Sequence, residues 1–247
     1  MSIMVSRSIS IGQAFFRWRG WLPSPVIALL LVVAARAAPF PGLGGEGVDR
    51  ALKALGVALA LAGEALRFYT LGMVPEGTSG QGYALEAAEL NVRGPYAHVR
   101  NPLYLGNLGI CAGLLLVANN AWAYAIGFGF FFAEYCFIIR AEESFLRQKY
   151  GRQYEQYASK VPRWVPRLTP AYTGALRSKI AWARALKKEH NPFAAWASAM
   201  LLLLGWQWYR RHALTPAVLA LLAFFQFAVL LIFFGVKAYK RGWFRSR

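Results

Sequence analysis

The stretch NPLYLGNLGICAGLLLVANNAWAYAIGFGFFFAEYCFIIR, residues 101–140, decides the fold. It holds two apolar runs, at 102–118 and 120–139, and each is close to the roughly 20 residues that a helix needs to cross a bilayer. Only the pair Asn119 and Asn120 separates them. We therefore predict an antiparallel pair of membrane helices joined by a tight turn at the far membrane face.

Four further apolar runs lie on either side of this hairpin, at about 21–38, 51–74, 193–209 and 214–236. The composition points the same way, because 57% of the residues are apolar, 16% are charged and the mean hydropathy is +0.34. A soluble domain with a wet surface hardly reaches such values. We expect an all-α, polytopic membrane helical bundle of about six transmembrane helices, with residues 1–247 forming a single domain.

The basic residues indicate the orientation of the bundle. Lys and Arg outnumber Asp and Glu by 28 to 11, and 22 of the 28 lie in the N-terminal arm, in the loops 75–101 and 140–192, or in the tail 237–247. Because cytoplasmic loops carry excess Lys and Arg, these segments and both termini are expected inside, as in a bacterial plasma (inner) membrane. The same bias explains the net charge of +17 without nucleic acid as a partner.

The sequence gives no sign of a metal centre or a disulfide framework. Cys111 and Cys136 lie in apolar runs without CxxC spacing. His98, His190 and His212 are scattered and lack the i, i+4 pairing that holds a metal between helices. We expect no metal.

Three ionisable residues fall inside predicted spans. Glu64 and Arg67 are three positions apart and share a helical face, while Glu134 has no basic residue within one turn. Intramembrane charges usually face a bundle interior or a wet cavity, so both a structural ion pair and a ligand cavity remain open here. A transporter or interaction protein with a polar pathway is an alternative function, although no internal repeat supports it.

The densest set of chemically useful residues lies at the cytoplasmic edge, in GPYAHVRNPLYLG at 94–106 and in RAEESFLRQKYGRQYEQYASKVPRWVP at 140–166. Pro102 suits the first turn of a helix and Asn101 suits its N-cap. The second string predicts an amphipathic helix leaving the fourth span. Its apolar face would contain Phe145, Leu146, Tyr150, Tyr154 and Tyr157.

Together these strings resemble the isoprenylcysteine carboxyl methyltransferase and phospholipid methyltransferase superfamily of integral membrane enzymes. The resemblance rests on 94–106, on AEESFL at 141–146 and on YGRQYEQYASKVPRWVP at 150–166, with GEALR at 63–67 upstream. It defines a methyltransferase-like core over about 50–167. The helical hairpin 193–236 is additional to this core.

The resemblance implies methyl transfer from S-adenosylmethionine to a lipid or another hydrophobic small molecule. Membrane lipids are expected to surround the protein. Carboxyl methylation is one expected reaction, and N-methylation of a phospholipid headgroup is the alternative. Thiol sulfur also stays open as the acceptor atom. The cofactor contacts it implies are Gln81, Leu90, Tyr96, Arg100, Asn101, Pro102, Leu103, Tyr104 and Glu142, with Asn91 as a further candidate. Arg140 and Glu143 are the expected catalytic residues.

The chemistry leaves the acid and base roles open. Arg100 or Arg140 could hold the cofactor carboxylate. A carboxylate acceptor needs no base, whereas an amine acceptor needs one, for which Glu142, Glu143 and His98 are candidates. Asn101 stands where the carboxyl methyltransferases usually have His, and Asn does not titrate near neutrality.

The additional hairpin is expected to border a lateral entrance for the acceptor. Its aromatic residues, which could shape a tunnel for a hydrophobic chain, are Trp206, Trp208, Phe224, Phe225 and Phe227. The alternative is a lipid-facing surface with an aromatic belt at the membrane interface.

Overall fold

A computed structural model describes residues 2–18, 45–74, 87–173 and 180–241 of the chain. Over these ranges the chain is all-helical, and its elements are named here in chain order. They are α1 (Ser2–Trp18), α2 (Gly45–Met73), a 3-10 turn at Gly94–Ala97, α3 (Pro102–Ala118), α4 (Ala121–Tyr150), α5 (Arg152–Lys160), α6 (Trp182–Arg210) and α7 (Pro216–Lys240).

The asparagine pair forms the turn between α3 and α4. Asn119 adopts a left-handed conformation with φ 44°, which a short polar side chain tolerates better than most. The Asn120 side chain then accepts hydrogen bonds from the backbone N–H groups of Trp122 and Ala123 and so caps α4. The predicted hairpin is confirmed.

The observed helices confirm the expected class, a membrane helical bundle. Within the described ranges α2, α4 and α7 are long and apolar enough to cross a membrane, and α3 is a shorter apolar helix. Two boundaries differ from the expected ones: α2 begins at Gly45, six positions before the expected span 51–74, and α6 begins at Trp182, eleven positions before the expected span 193–209. The expected first span, 21–38, lies outside the described residues.

The expected amphipathic helix is divided between two elements. Residues 141–150 continue α4, and the chain bends at Gly151, whose φ is 49°, before α5 begins. Tyr154 and Tyr157 are the buried side chains of α5, as the pattern predicted. Asn101 also differs from expectation, since its side chain does not cap α3 but donates to the Arg163 carbonyl at 3.1 Å.

Glycines set the close approach of α2 to α3. A Cβ atom at Gly56 would lie 2.6 Å from the Gly113 carbonyl oxygen, and one at Gly63 would meet the Gly106 carbonyl oxygen. Such small-residue contacts let membrane helices pack backbone to backbone, where little hydrophobic force draws them together. GEALR and NPLYLG therefore lie side by side.

Helix α6 packs on this pair, and α7 packs on α6. Met200 and Leu203 form one buried cluster with Ala60 and Val117. On α7, by contrast, Phe224, Phe225 and Phe227 are exposed. These rings match the lipid-facing alternative and line no part of the cleft described below.

Polar ties close the end of the bundle near the α3–α4 turn. The buried Asp49 carboxylate accepts from Asn119 at 3.0 Å, from Lys53 at 2.6 Å and from Arg211 at 2.8 Å. Arg211 lies outside the four segments that hold most of the basic residues. The structure gives it a partner and thereby joins the start of α2 to the end of α6.

Candidate active site

A cleft opens at the other end of the bundle, where α3 begins and α4 ends. Its empty volume is about 800 Å³, which includes the part open to solvent. The lining side chains come from α1, the segment 87–101, α3, α4 and α5. They are Phe16, Ala87, Glu89, Leu90, Asn91, Tyr96, Arg100, Asn101, Leu103, Tyr104, Glu142, Glu143, Phe145, Leu146, Tyr154 and Tyr157.

Backbone hydrogen bonds join the two motif strings along one wall of the cleft. The Arg100 N–H donates to the Pro162 carbonyl at 2.8 Å, the Arg167 N–H to His98 at 2.9 Å and the Ala171 N–H to Ala97 at 2.9 Å. The two segments therefore run antiparallel. The Tyr157 hydroxyl adds a bond to the Tyr96 carbonyl at 2.9 Å.

The two glycines that bound GPYAHVRNPLYLG have distinct roles. Gly94 adopts φ 57°, a region that favours glycine, and a Cβ there would lie 2.6 Å from Met73 Cε. Gly106 leaves room for the stem of Arg67, since a Cβ there would lie 2.5 Å from Arg67 Cγ. The motif thus fixes both the entry to α3 and its contact with α2.

Glu143 is surrounded by guanidinium groups. Arg163 donates to both of its oxygens, from Nε at 2.8 Å and from Nη2 at 2.7 Å, and Arg100 Nη1 donates at 3.0 Å. Arg147 lies 3.5 Å away. Such bidentate, charge-assisted contacts fix the orientation of a carboxylate.

Glu142, on the same helix, receives a different partner. The Tyr104 hydroxyl donates to its Oε1 at 2.7 Å across the cleft. Burial, and then the negative charge of Glu142, raise the pKa of Tyr96. Burial and Glu143 likewise raise the pKa of Tyr154, against the opposing effect of Arg100. These cleft phenols therefore stay neutral at physiological pH and can donate hydrogen bonds.

Arg100 carries a donor that the protein leaves unused. Its Nε is buried and has no hydrogen-bond partner within the described ranges, although Nη1 is paired with Glu143. An unsatisfied buried donor costs free energy, about 1–3 kcal/mol and more for a charged group. The cleft therefore offers a donor for an anionic or carbonyl group.

The structure brings together most of the residues that the sequence indicated. Nine of them line the cleft, namely Leu90, Asn91, Tyr96, Arg100, Asn101, Leu103, Tyr104, Glu142 and Glu143. Pro102 is buried in the first turn of α3 without lining the cleft, and Arg140 is exposed outside it. Gln81 lies outside the described residues.

Sequence reasoning missed other lining residues. Tyr154 and Tyr157 had been assigned only to an amphipathic face, although their position inside the motif could have marked them as part of the site. Phe16 comes from α1, and it is fully buried in the cleft wall. No sequence pattern linked α1 to the motif strings.

The charged residues inside the bundle pair differently from the simplest expectation. Arg67 Nε donates to Glu189 Oε1 on α6 at 2.5 Å, while Glu64 accepts from the Trp196 indole at 2.9 Å. Sequence spacing favoured Glu64 as the partner of Arg67. Glu189 escaped notice because it precedes the apolar run of its helix.

Comparisons with known proteins find similarity to methyltransferases over part of the chain. Residues 52–153 match the family described as phospholipid methyltransferase. Protein-S-isoprenylcysteine O-methyltransferase B of Arabidopsis thaliana is 39% identical over 84 residues, which are 33% of this chain and 41% of that relative. No solved structure matches the chain.

The resemblance drawn from the motifs is therefore confirmed for the core of the chain. The matched residues 52–153 make up about two fifths of the sequence. The match spans about two fifths of the length of the curated relative. Helices α1, α6 and α7 lie outside the matched residues.

Proposed function

We propose that this integral membrane protein transfers a methyl group from S-adenosylmethionine to a lipid or another hydrophobic acceptor. The observation that carries the proposal is the cleft, in which the two motif strings of the matched superfamily meet around Tyr104, Glu142 and Arg100. The matched family and the similar plant protein both carry methyltransferase names.

The residues of the cleft fit this cofactor. S-adenosylmethionine supplies an activated methyl group on a sulfonium, and it also presents an amino acid end and ribose hydroxyls. Glu142 and Tyr104 offer a carboxylate and a phenol, Asn91 and Asn101 offer amides, and the buried Arg100 Nε offers an unused donor for a carboxylate. Leu90, Leu103 and Leu146 supply apolar walls.

The chain contributes alignment and exclusion of water more than strong acid–base chemistry. A methyl transfer needs donor and acceptor in line, and buried aromatic walls keep water away from that line. Phe16, Tyr154 and Tyr157 are such walls, because each is 3% exposed or less.

Glu143 suits a structural role better than that of a base. Three hydrogen bonds from Arg100 and Arg163 already engage its oxygens, which makes it less suited than Glu142 to take a proton from an acceptor. We therefore assign to Glu143 the task of orienting Arg100. If the acceptor is an amine, Glu142 is the carboxylate in the cleft that could receive its proton.

We favour a carboxylate oxygen as the methyl acceptor, on a prenylated or similarly apolar molecule. The support is the printed name of the plant relative, an isoprenylcysteine O-methyltransferase. A phospholipid headgroup nitrogen is the second candidate, since the matched family is described as phospholipid methyltransferase. We place the cleft at the cytoplasmic face, where the basic loops concentrate.

Radiolabelled transfer distinguishes these acceptors. Purified protein in nanodiscs receives methyl-labelled S-adenosylmethionine with either N-acetyl-S-farnesylcysteine or phosphatidylethanolamine. We expect base-labile label in the farnesylcysteine product, as for a methyl ester, and none with Tyr104→Phe combined with Glu142→Gln. Label only in the phospholipid would support the second candidate. If the folded wild-type protein binds no S-adenosylhomocysteine and labels neither acceptor, the proposed methyltransferase activity is refuted.

A further inference from the structure

Helix α6 lies outside the residues matched to the superfamily, yet it places a charge inside the core. Glu189 is 1% exposed, and its Oε1 accepts from Arg67 Nε at 2.5 Å. Its second oxygen, Oε2, is buried without a hydrogen-bond partner in the described part of the chain. The pair joins the additional C-terminal hairpin to α2.

A connected set of hydrogen bonds leads from this pair toward the cleft. Arg67 Nη1 donates to the Asn107 side-chain oxygen on α3. The Asn107 amide nitrogen then donates to the Tyr135 hydroxyl on α4 at 2.6 Å. Because Asn107 accepts on one side and donates on the other, Arg67 fixes the orientation of its amide.

The last contacts of this set reach the wall of the cleft. The Tyr135 ring packs on the Tyr104 ring with 4.7 Å between their centroids. The Tyr104 hydroxyl donates to Glu142, a lining residue. Arg67 also acts more directly, since its stem crosses Gly106, two residues after Tyr104 on α3.

We propose that Glu189 is a positioning residue for the cleft, so that α6 belongs to the catalytic unit rather than merely covering it. This rests on the proposed function. Without the Glu189 carboxylate, Arg67 is an unpaired buried charge and must seek another partner. Asn107 and Tyr135 then lose their fixed orientation, and the Tyr104 phenol shifts relative to Glu142.

The opposite end of the same helices provides a matched control. There Arg211 on α6 donates to Asp49 on α2 at 2.8 Å. This tie joins the same two helices, but no described contact leads from it to the cleft. A purely structural role for Glu189 predicts that losing either tie lowers stability and that neither changes the cleft.

Calorimetry with S-adenosylhomocysteine on full-length protein in nanodiscs separates the two roles. We expect Glu189→Gln to weaken binding about three- to ten-fold, and Glu189→Asp to recover part of the loss. Arg211→Gln should lower the melting temperature while leaving the dissociation constant within about two-fold of the wild type. Tyr135→Phe, which removes only the hydroxyl in the connected set, should weaken binding in the same direction as Glu189→Gln.

Each other outcome overturns the inference. The inference is wrong if Glu189→Gln folds and binds S-adenosylhomocysteine as well as the wild type does. It is also wrong if Arg211→Gln weakens binding as much as Glu189→Gln does. If Glu189→Gln does not fold, unaltered binding by Tyr135→Phe refutes the proposal. A wild-type protein that binds no S-adenosylhomocysteine removes the proposed function as well, whereas normal wild-type binding with unaffected variants removes only the role of Glu189.

Discussion

Arg163 holds both carboxylate oxygens of Glu143 across twenty positions of sequence, through Nε at 2.8 Å and Nη2 at 2.7 Å. The pair fastens the segment after α5 to the end of α4. Since the same segment is hydrogen-bonded to 97–101, it also sets the position of Arg100 in the cleft. The Glu143 contact raises the pKa of Arg163, which therefore stays charged.

Arg163→Ala should therefore destabilise the protein and weaken cofactor binding. The buried Glu143 carboxylate loses its bidentate partner, which costs about 1–3 kcal/mol. Thermal unfolding and calorimetry with S-adenosylhomocysteine measure the two effects. Arg152→Ala, at an exposed position of α5, is the control and should change neither. A melting temperature for Arg163→Ala equal to that of the control would contradict the assignment.

Tyr104→Phe tests the contact across the cleft. Removing the hydroxyl that donates to Glu142 at 2.7 Å should weaken S-adenosylhomocysteine binding roughly ten-fold, because a charge-assisted hydrogen bond is lost. Tyr172→Phe is the matched control, since within the described residues that hydroxyl makes a 3.4 Å bond to the Gln156 carbonyl, and neither residue lines the cleft. Equal affinities for the two variants would show that Tyr104 does not bind the cofactor.

The sequence anticipated the elements better than their contacts. The α3–α4 hairpin was predictable because Asn119 and Asn120 divide two apolar runs, and the order of the motif strings located most of the cleft. The partner of Arg67 was not predictable, since a pattern of spacing reports neighbours on one helix only. Glu189 lies 122 positions away and meets Arg67 only when α6 packs on α2.

The contribution of the N-terminal helix α1 to the cleft was not predictable from the sequence, for a similar reason. Phe16 enters the cleft because α1 packs against α4, where a Cβ at Gly12 would meet the Phe137 carbonyl oxygen. A glycine and two phenylalanines in a helix are compatible with many packing partners. The superfamily motifs do not include this helix, so the resemblance could not supply its position either.

Gly106→Ala adds only one methyl group, but it should lower the stability of the protein more than so small a change implies. The new Cβ would lie 2.5 Å from Arg67 Cγ and would also press on the Gly63 carbonyl oxygen, so α2 and α3 must separate. Overpacking of this kind typically costs about 1–3 kcal/mol. Gly129→Ala on α4, where nothing lies within 4 Å of a Cβ, should be neutral or slightly stabilising. Melting curves compare the two, and similar values would contradict the close packing.

The stability of the protein at high pH should test whether the fold keeps its buried phenols neutral. Burial and Glu143 raise the pKa of Tyr154 above its usual value of 10.0. A raised pKa means that the folded state favours the neutral phenol, so this stability is complete below about pH 10 and is lost as the pH rises further. Tyr154→Phe should therefore lose less stability than the wild type above about pH 10. Thermal unfolding at stepped alkaline pH measures the difference, and parallel curves would show that Tyr154 ionises freely.

The orientation of the helices in the membrane can also be tested. The charge bias predicts that the cleft faces the cytoplasm, on the side where S-adenosylmethionine is made, and that the α3–α4 and α6–α7 turns lie on the other side. Ala213, in the α6–α7 turn, and Gln153, on α5 beside the cleft, are both exposed. Single cysteines at these positions, in a background without Cys111 and Cys136, are treated with an impermeant thiol reagent on intact cells. Ala213→Cys should label, whereas Gln153→Cys should label only after the membrane is opened. The reverse pattern would place the cleft on the outer face, where the proposed cofactor would not reach it.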